Sequence, residues 1–356
     1  MTGRRVDTAG AEEFAFDDSE YADDTALLFC SRCDVERQTP ALLAHFADWG
    51  MEVHAGALGK GSKSEILFCP APARVYDDPA TFGGADLSDV QLPGARSMPV
   101  VSKFKYLGDW VSGDGSDACA VEARIADAGK AFGALRKGVF SSKSVTYAAK
   151  RAAYEALILS ILLYGCEGWC LTEALLQRLR AFHAQCVRAM CRVSRKHTWE
   201  HHIASDELRG RLGLDSIDYY VARRQLRWLG HVRRMAPERL PRQMLSSWVP
   251  SKRPAGAPLL TLGRSMAKAM DVFRLDQARW PALAADRGTW REMLRSGEAP
   301  PGFRQAPAAP VPMPINHFLV RPRRAAAAAT NAAVDATVRA LAGTTRLGRV
   351  KNNNNN

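Results

Sequence analysis

The sequence predicts an α+β protein, on two observations. Short apolar runs bounded by turn residues crowd into the chain before Gly115, the texture of a small antiparallel sheet with one helix. After Gly115 the apolar residues recur at helical spacing in segment after segment. The charge changes sign near the same place. Residues 1–120 hold 10 Lys/Arg against 20 Asp/Glu, residues 121–235 hold 20 against 10, and residues 236–356 hold 19 against 7. With 356 residues, 47% of them apolar, the chain can bury a sizeable core, in two domains or in one large domain with tails.

Residues 1–13 are polar and predict disorder. Residues 14–16 and 25–29 read as short strands flanking the acidic turn Tyr21-Ala22-Asp23-Asp24. Residues 39–49 read as a helix: Thr39 suits the N-cap, Pro40 the first helical position, and Leu42, Leu43, Phe46 and Trp49 share a face that Gly50 ends. A short strand follows at 64–69. Residues 70–98, rich in Pro, Gly and Asp, read as a surface loop. Residues 104–108 form a strand entering a turn.

Beyond Gly115, Val121, Ile125, Ala128, Phe132 and Leu135 place a helix over 118–136. Further helices are predicted over 144–164, over 172–193 with Thr172 as cap, and over 218–235. Five prolines make 236–262 a loop region, with short helices at 263–273 and 287–296. The Pro-, Ala- and Asn-rich residues 297–356 predict disorder, with one isolated helix at 332–341.

The formal net charge of +12 and pI of about 9.5 favour a polyanionic partner, most simply nucleic acid, or an anionic membrane surface. The first ten residues carry no apolar run, and the longest apolar stretch, 156–164, is far too short for a membrane span. Eight scattered cysteines suggest no disulfide framework. The expectation is an intracellular protein, nuclear or cytoplasmic, with free thiols and no membrane segment.

A hairpin at Tyr21-Ala22-Asp23-Asp24 projects adjacent carboxylates from a rigid turn, and nucleotidyl transfer needs such hard oxygen ligands for two magnesium ions. A bare Asp-Asp pair is more often a solvated surface turn. Here it is not bare. Tyr21 to Leu28, YADDTALL, resembles the metal-binding palm turn of reverse transcriptases from non-LTR retrotransposons. Gly50-Met51-Glu52-Val53 followed by Lys63-Ser64-Glu65-Ile66-Leu67-Phe68 is similar to that family's lysine-bearing palm element, and Lys105-Tyr106-Leu107-Gly108 to its primer-grip turn. The likeness runs on through LLYGCEGW (162–169), FHAQCVR (182–188), RQLRWLGHVRRM (224–235) and the segment 280–294, so that it spans roughly residues 17–295.

The resemblance implies a partial palm over 14–115, a helical thumb-like domain over 116–235 and a C-terminal extension over 236–296. It implies RNA-directed DNA polymerase ancestry, with RNA and DNA as template and primer and Mg2+ or Mn2+ as cofactor. Asp23 would be the principal metal ligand and Asp24 its partner. Tyr21 would pack near the primer terminus, Lys63 would donate a proton to pyrophosphate, and Lys105, Tyr106, Leu107 and Gly108 would position the primer. The family's palm also uses an aspartate on a strand well upstream, and fingers; only 20 residues precede Tyr21 here. Asp17 and Asp18 lie too close to the turn to replace that aspartate. The expectation is a chain that does not polymerise alone. The rival reading is a non-catalytic nucleic-acid-binding protein that uses its basic helices.

Arg223, Arg224, Arg227, Arg233 and Arg234, with Tyr219, Tyr220 and Trp228, make 218–235 a candidate phosphate- and base-binding helix; against this, Trp228 and Leu226 suit a core. The cluster His183, Cys186, Cys191, His197, His201 and His202 superficially suggests zinc. Residues five apart diverge on a helix, so buried cysteines and surface histidines are preferred.

Overall fold

A computed structural model describes residues 2–5, 13–15, 18–57, 62–69, 88–94, 96–245, 247–248 and 261–305. The fold is α+β, mainly helical with small separate sheets. It divides into a large unit, residues 16–235 and 251–312, and a small one, residues 2–15 and 236–250.

The large unit opens with a hairpin of β1 (Asp18–Tyr21) and β2 (Asp24–Leu27). Tyr21 lies opposite Asp24, so the turn holds two residues, Ala22 and Asp23. That register corrects the sequence reading: the strand partner of residues 24–27 is Asp18–Tyr21, not 14–16. A two-residue turn pairs the residues immediately flanking it.

Helix α1 runs from Arg32 to Asp48 and also departs from expectation. It is capped by Ser31, whose hydroxyl accepts from the Asp34 amide at 3.1 Å. Thr39 is buried mid-helix and Pro40 is accommodated inside it. A Ser-x-x-Asp cap two turns earlier, with Val35 facing the core, outweighs the one backbone hydrogen bond that Pro40 removes.

Short strands β3 (Gly56–Ala57) and β4 (Ile66–Leu67) follow, then β5 (Val90–Leu92), β6 (Arg96–Met98) and β7 (Val100–Val101). β5 and β6 form an antiparallel hairpin where the sequence predicts loop, because Val90, Leu92 and Met98 point inward. With Val35 they form a small core, edged by Phe29, Leu43, Val53 and Ile66. β4 pairs in parallel with β7. β8 (Lys103–Tyr106) and β9 (Asp109–Ser112) then close a second hairpin at Leu107–Gly108.

Helix α2 (Ala118–Leu135) continues into a π-helical turn, Arg136–Phe140, that brings Phe140 onto Phe132 with ring centroids 4.5 Å apart. The helix predicted over 144–164 is a rod in three parts: α3 (Tyr147–Ala153), a π-wound stretch Tyr154–Ile158, and α4 (Leu159–Leu162). Thr172 caps α5 (Glu173–Cys191) as expected, and Arg192, at φ 57°, ends it. Two short helices that periodicity does not reveal, α6 (Arg195–Glu200) and α7 (Ser205–Leu212), lead to α8 (Ile217–Arg233), which Ser216 caps. One core fills the space among α2, α3, α4, α5, α7 and the start of α8.

Helix α8 also carries α9 (Leu262–Val272), α10 (Trp280–Ala285) and α11 (Arg287–Ser296). Gly230 lets Trp290 in: a Cβ there would run into the indole, whose Nε1–H donates to the Leu226 carbonyl at 3.1 Å. α10 is an addition to the sequence reading; α9 and α11 lie where it puts them.

In the small unit, strand Thr2–Arg5 pairs antiparallel with Glu13–Ala15 on one side and Ser247–Trp248 on the other, beside a helix Leu240–Leu245. Strand Thr2–Arg5 stands in the stretch read as disordered. The helix predicted at 332–341 lies outside the described residues. No helix among the described residues is long and apolar enough to cross a membrane.

Candidate nucleic-acid interface

The acidic hairpin stands clear of the core. Every residue of β1 is exposed, as are Asp23 and Asp24, and Tyr21 is 67% exposed. Ala22 has φ 55°, a conformation that a type II′ turn demands of its first central residue and that glycine normally fills. Tyr21 and Asp24 are cross-strand partners and so share one face, whereas Glu20 pairs with Thr25 on the other.

Asp23 and Asp24 supply two carboxylates. Among the described residues no group of three or more His, Cys, Asp or Glu side chains is placed to hold a metal ion. Magnesium held by only two protein ligands keeps most of its water. The described residues therefore do not fit a complete two-metal centre. Lys63 is exposed on the segment before β4, its backbone amide donating to His54 Nδ1 at 3.1 Å; no hydrogen bond or ion pair links its ammonium to either aspartate.

The second hairpin meets the first. The Tyr106 hydroxyl donates to the Ser19 carbonyl of β1 at 3.2 Å, so residues 87 positions apart are joined. Lys105, Leu107 and Gly108 are exposed and Tyr106 is half-buried. The turn has positive φ at both central residues, Leu107 at 49° and Gly108 at 80°, the signature of a type I′ hairpin. Gly108 accepts this freely; Leu107 does not.

Three side chains outside the predicted set surround this turn. The Tyr164 hydroxyl donates to the Leu107 carbonyl at 2.9 Å. The Arg124 guanidinium donates to the Gly108 carbonyl, lies 3.4 Å from the Asp109 carboxylate and stacks 4.3 Å from the centre of the Tyr164 ring. Gly165, at φ 79°, is required because a Cβ would collide with Asp109. Tyr164 and Gly165 belong to the LLYGCEGW likeness, which flagged the segment without revealing its partner.

Helix α8 divides its arginines. Arg223 and Arg227, one turn apart, are exposed. Arg224 is half-buried, donates to the Leu163 carbonyl at 3.1 Å and lies 4.0 Å from Glu167. Arg234 donates to the Ala284 carbonyl at 2.7 Å. Gln225 is buried, its amide donating to the Cys166 and Trp169 carbonyls at 3.3 and 3.1 Å. Trp228 is half-buried.

Cys186 and Cys191 are buried, and His197, His201 and His202 are exposed, as preferred from the sequence. His183 differs: it is a core histidine. Its Nε2–H donates to the Asp215 carbonyl at 3.1 Å, which leaves Nδ1 to accept from the Tyr154 hydroxyl at 2.9 Å. Burial lowers its pKa to about 4, against the pull of the Asp215 carbonyl. Burial likewise raises the Cys186 thiol to about 12.

Over 281 residues, 77% of this chain and 94% of the other, the sequence is 23% identical to a Caenorhabditis elegans protein whose name calls it transposon-derived and uncharacterized. No family model matches the chain. No solved structure matches it. The similarity is consistent with a transposon-related origin.

Proposed function

We propose that this chain derives from the reverse transcriptase of a non-LTR retrotransposon and engages an RNA–DNA template–primer without itself supplying a complete metal centre. The observation that carries the reading is the junction of the two hairpins. The turn bearing Asp23 and Asp24 and the turn Leu107–Gly108, 85 residues on from Ala22, are tied together through Tyr106 and Ser19. The sequence likeness assigns these two turns to catalytic-metal binding and primer holding, tasks that must meet at one primer end. The similarity to a protein named as transposon-derived supports the same origin.

On this reading Tyr106 and the Leu107–Gly108 turn hold the primer strand. Arg223 and Arg227 give phosphate contacts from α8, since both guanidinium groups are exposed. Two carboxylates fall short of the ligand set that magnesium needs, so no nucleotidyl-transfer step is assigned to the chain alone. That favours nucleic-acid binding over polymerisation.

Two measurements on the purified chain test this. Binding to a recessed-3′ RNA–DNA duplex, titrated with salt, should weaken steeply as salt rises. Primer extension with Mg2+ or Mn2+ should give no product. Absence of binding near 100 mM salt would reject the nucleic-acid reading; robust extension abolished by Asp23→Asn would reject the non-catalytic part.

A further inference from the structure

The geometry points to Tyr164 and Arg124 as positioning residues that set the Leu107–Gly108 turn and, through it, affinity for a primer 3′ end; the second half rests on the function proposed above.

A type I′ turn is self-sufficient when its first central residue is Asn, Asp or Gly. Leu107 is none of these, and a leucine at φ 49° is disfavoured relative to ordinary backbone. Something outside the hairpin must hold the turn. The two carbonyls of its central residues are both taken by side chains from the helical part: Leu107 by the Tyr164 hydroxyl and Gly108 by Arg124. Stacking of the guanidinium on the Tyr164 ring joins the two donors into one unit. Arg124 Nε is buried with no acceptor among the described residues, so this arginine is not placed for its own best hydrogen bonding.

The unit is anchored from behind. Residues 163–169 are gripped by α8, where Arg224 holds the Leu163 carbonyl and Gln225 holds the Cys166 and Trp169 carbonyls. Tyr164 itself is 48% exposed, so its ring is not simply core filling. A rigid support thus presents two donors to a strained turn whose Leu107 is exposed, the arrangement expected where a tip must be pre-set for a ligand.

The test uses Tyr164→Phe, which removes one hydroxyl and keeps the ring under Arg124. Hydrogen exchange of the peptide covering 103–112 should lose about tenfold in protection, as expected when a hydrogen bond of ordinary net strength is removed, while peptides of α5 and α8 do not change. Affinity for a recessed-3′ duplex should fall several-fold more than affinity for a blunt duplex of equal length. Leu107→Asn gives the rescue: an Asn-Gly turn holds itself, so adding Tyr164→Phe to it should cost no further protection. Arg124→Lys, which keeps charge but loses the planar fork, should behave like Tyr164→Phe.

Unchanged exchange at 103–112 in Tyr164→Phe would overturn the positioning role. Changed exchange with equal loss on both duplexes would overturn its link to the primer end. If the parent chain binds neither duplex, the functional reading fails, and the exchange data alone still decide whether the turn is held as described.

Discussion

His183 makes the helical part sensitive to acid, by an amount that its surroundings set. The residue is only 2% exposed and sits among Tyr154, Tyr220 and the Asp215 carbonyl, with Arg209 opposing a positive charge there and Asp218 favouring one. Its folded pKa of about 4 lies below the ordinary 6.5. The unfolded chain therefore takes up a proton first as pH falls. Stability is fully present above pH 6.5 and is lost progressively down to pH 4. Each pH unit within that window costs about 1.4 kcal/mol, so the full penalty is about 3 kcal/mol and the loss from pH 7.5 to pH 5 is about 2 kcal/mol. That is a large part of the stability of a typical folded protein, roughly 5–15 kcal/mol. His183→Gln can still accept from Tyr154 and donate to Asp215, but it does not titrate. Urea denaturation of both proteins at several pH values isolates the histidine, because other titrating groups cancel in the difference. The parent should lose about 2 kcal/mol more than the variant between pH 7.5 and pH 5. Parallel curves would refute the reasoning, and a gap opening towards higher pH would reverse its sign.

Other expectations follow from single interactions. Gly230→Ala should destabilise by about 2–3 kcal/mol in chemical denaturation, because the added methyl meets the Trp290 indole where two helices pack. Thr172→Ala removes the cap of α5, whose hydroxyl accepts from the Leu175 amide at 3.3 Å, and should cost about 1 kcal/mol. Arg223→Ala with Arg227→Ala should flatten the plot of log affinity against log salt by roughly 0.9 for each phosphate no longer neutralised, whereas Arg224→Ala should lower stability and leave that slope alone.

What could be read in advance was what repeats locally. The periodicity of Val121, Ala128 and Phe132 marks α2, and the Thr172 cap marks where α5 begins, because such signals act within one turn of helix. The short helices α6, α7 and α10 span too few turns to establish a period. Pro40 misled because proline marks a first turn far more often than an interior, and only the packing of Val35 and Thr39 reveals that α1 starts earlier. At the site, Asp23, Asp24 and the Lys105–Gly108 segment were legible as motifs. Their supports were not: Tyr164 lies 57 residues from Leu107 and Arg124 lies 16 from Gly108, and no local pattern encodes such pairs.

The π-wound stretch Tyr154–Ile158 gives Tyr164 its bearing. Winding at five residues per hydrogen-bonded step in place of four inserts one residue beyond what α winding uses. One residue turns a helix by about 100°. Everything downstream in the rod, through α4 to the Tyr164 ring, is therefore turned by that angle from where unbroken α winding of the same residues would put it. Deleting a single exposed residue such as Leu157 should let the rod wind as ordinary α-helix with the tyrosine still facing the turn it serves, whereas α winding at unchanged length would swing it away. The rod works as a phase-setter as well as a spacer, and its winding and its length in residues constrain each other.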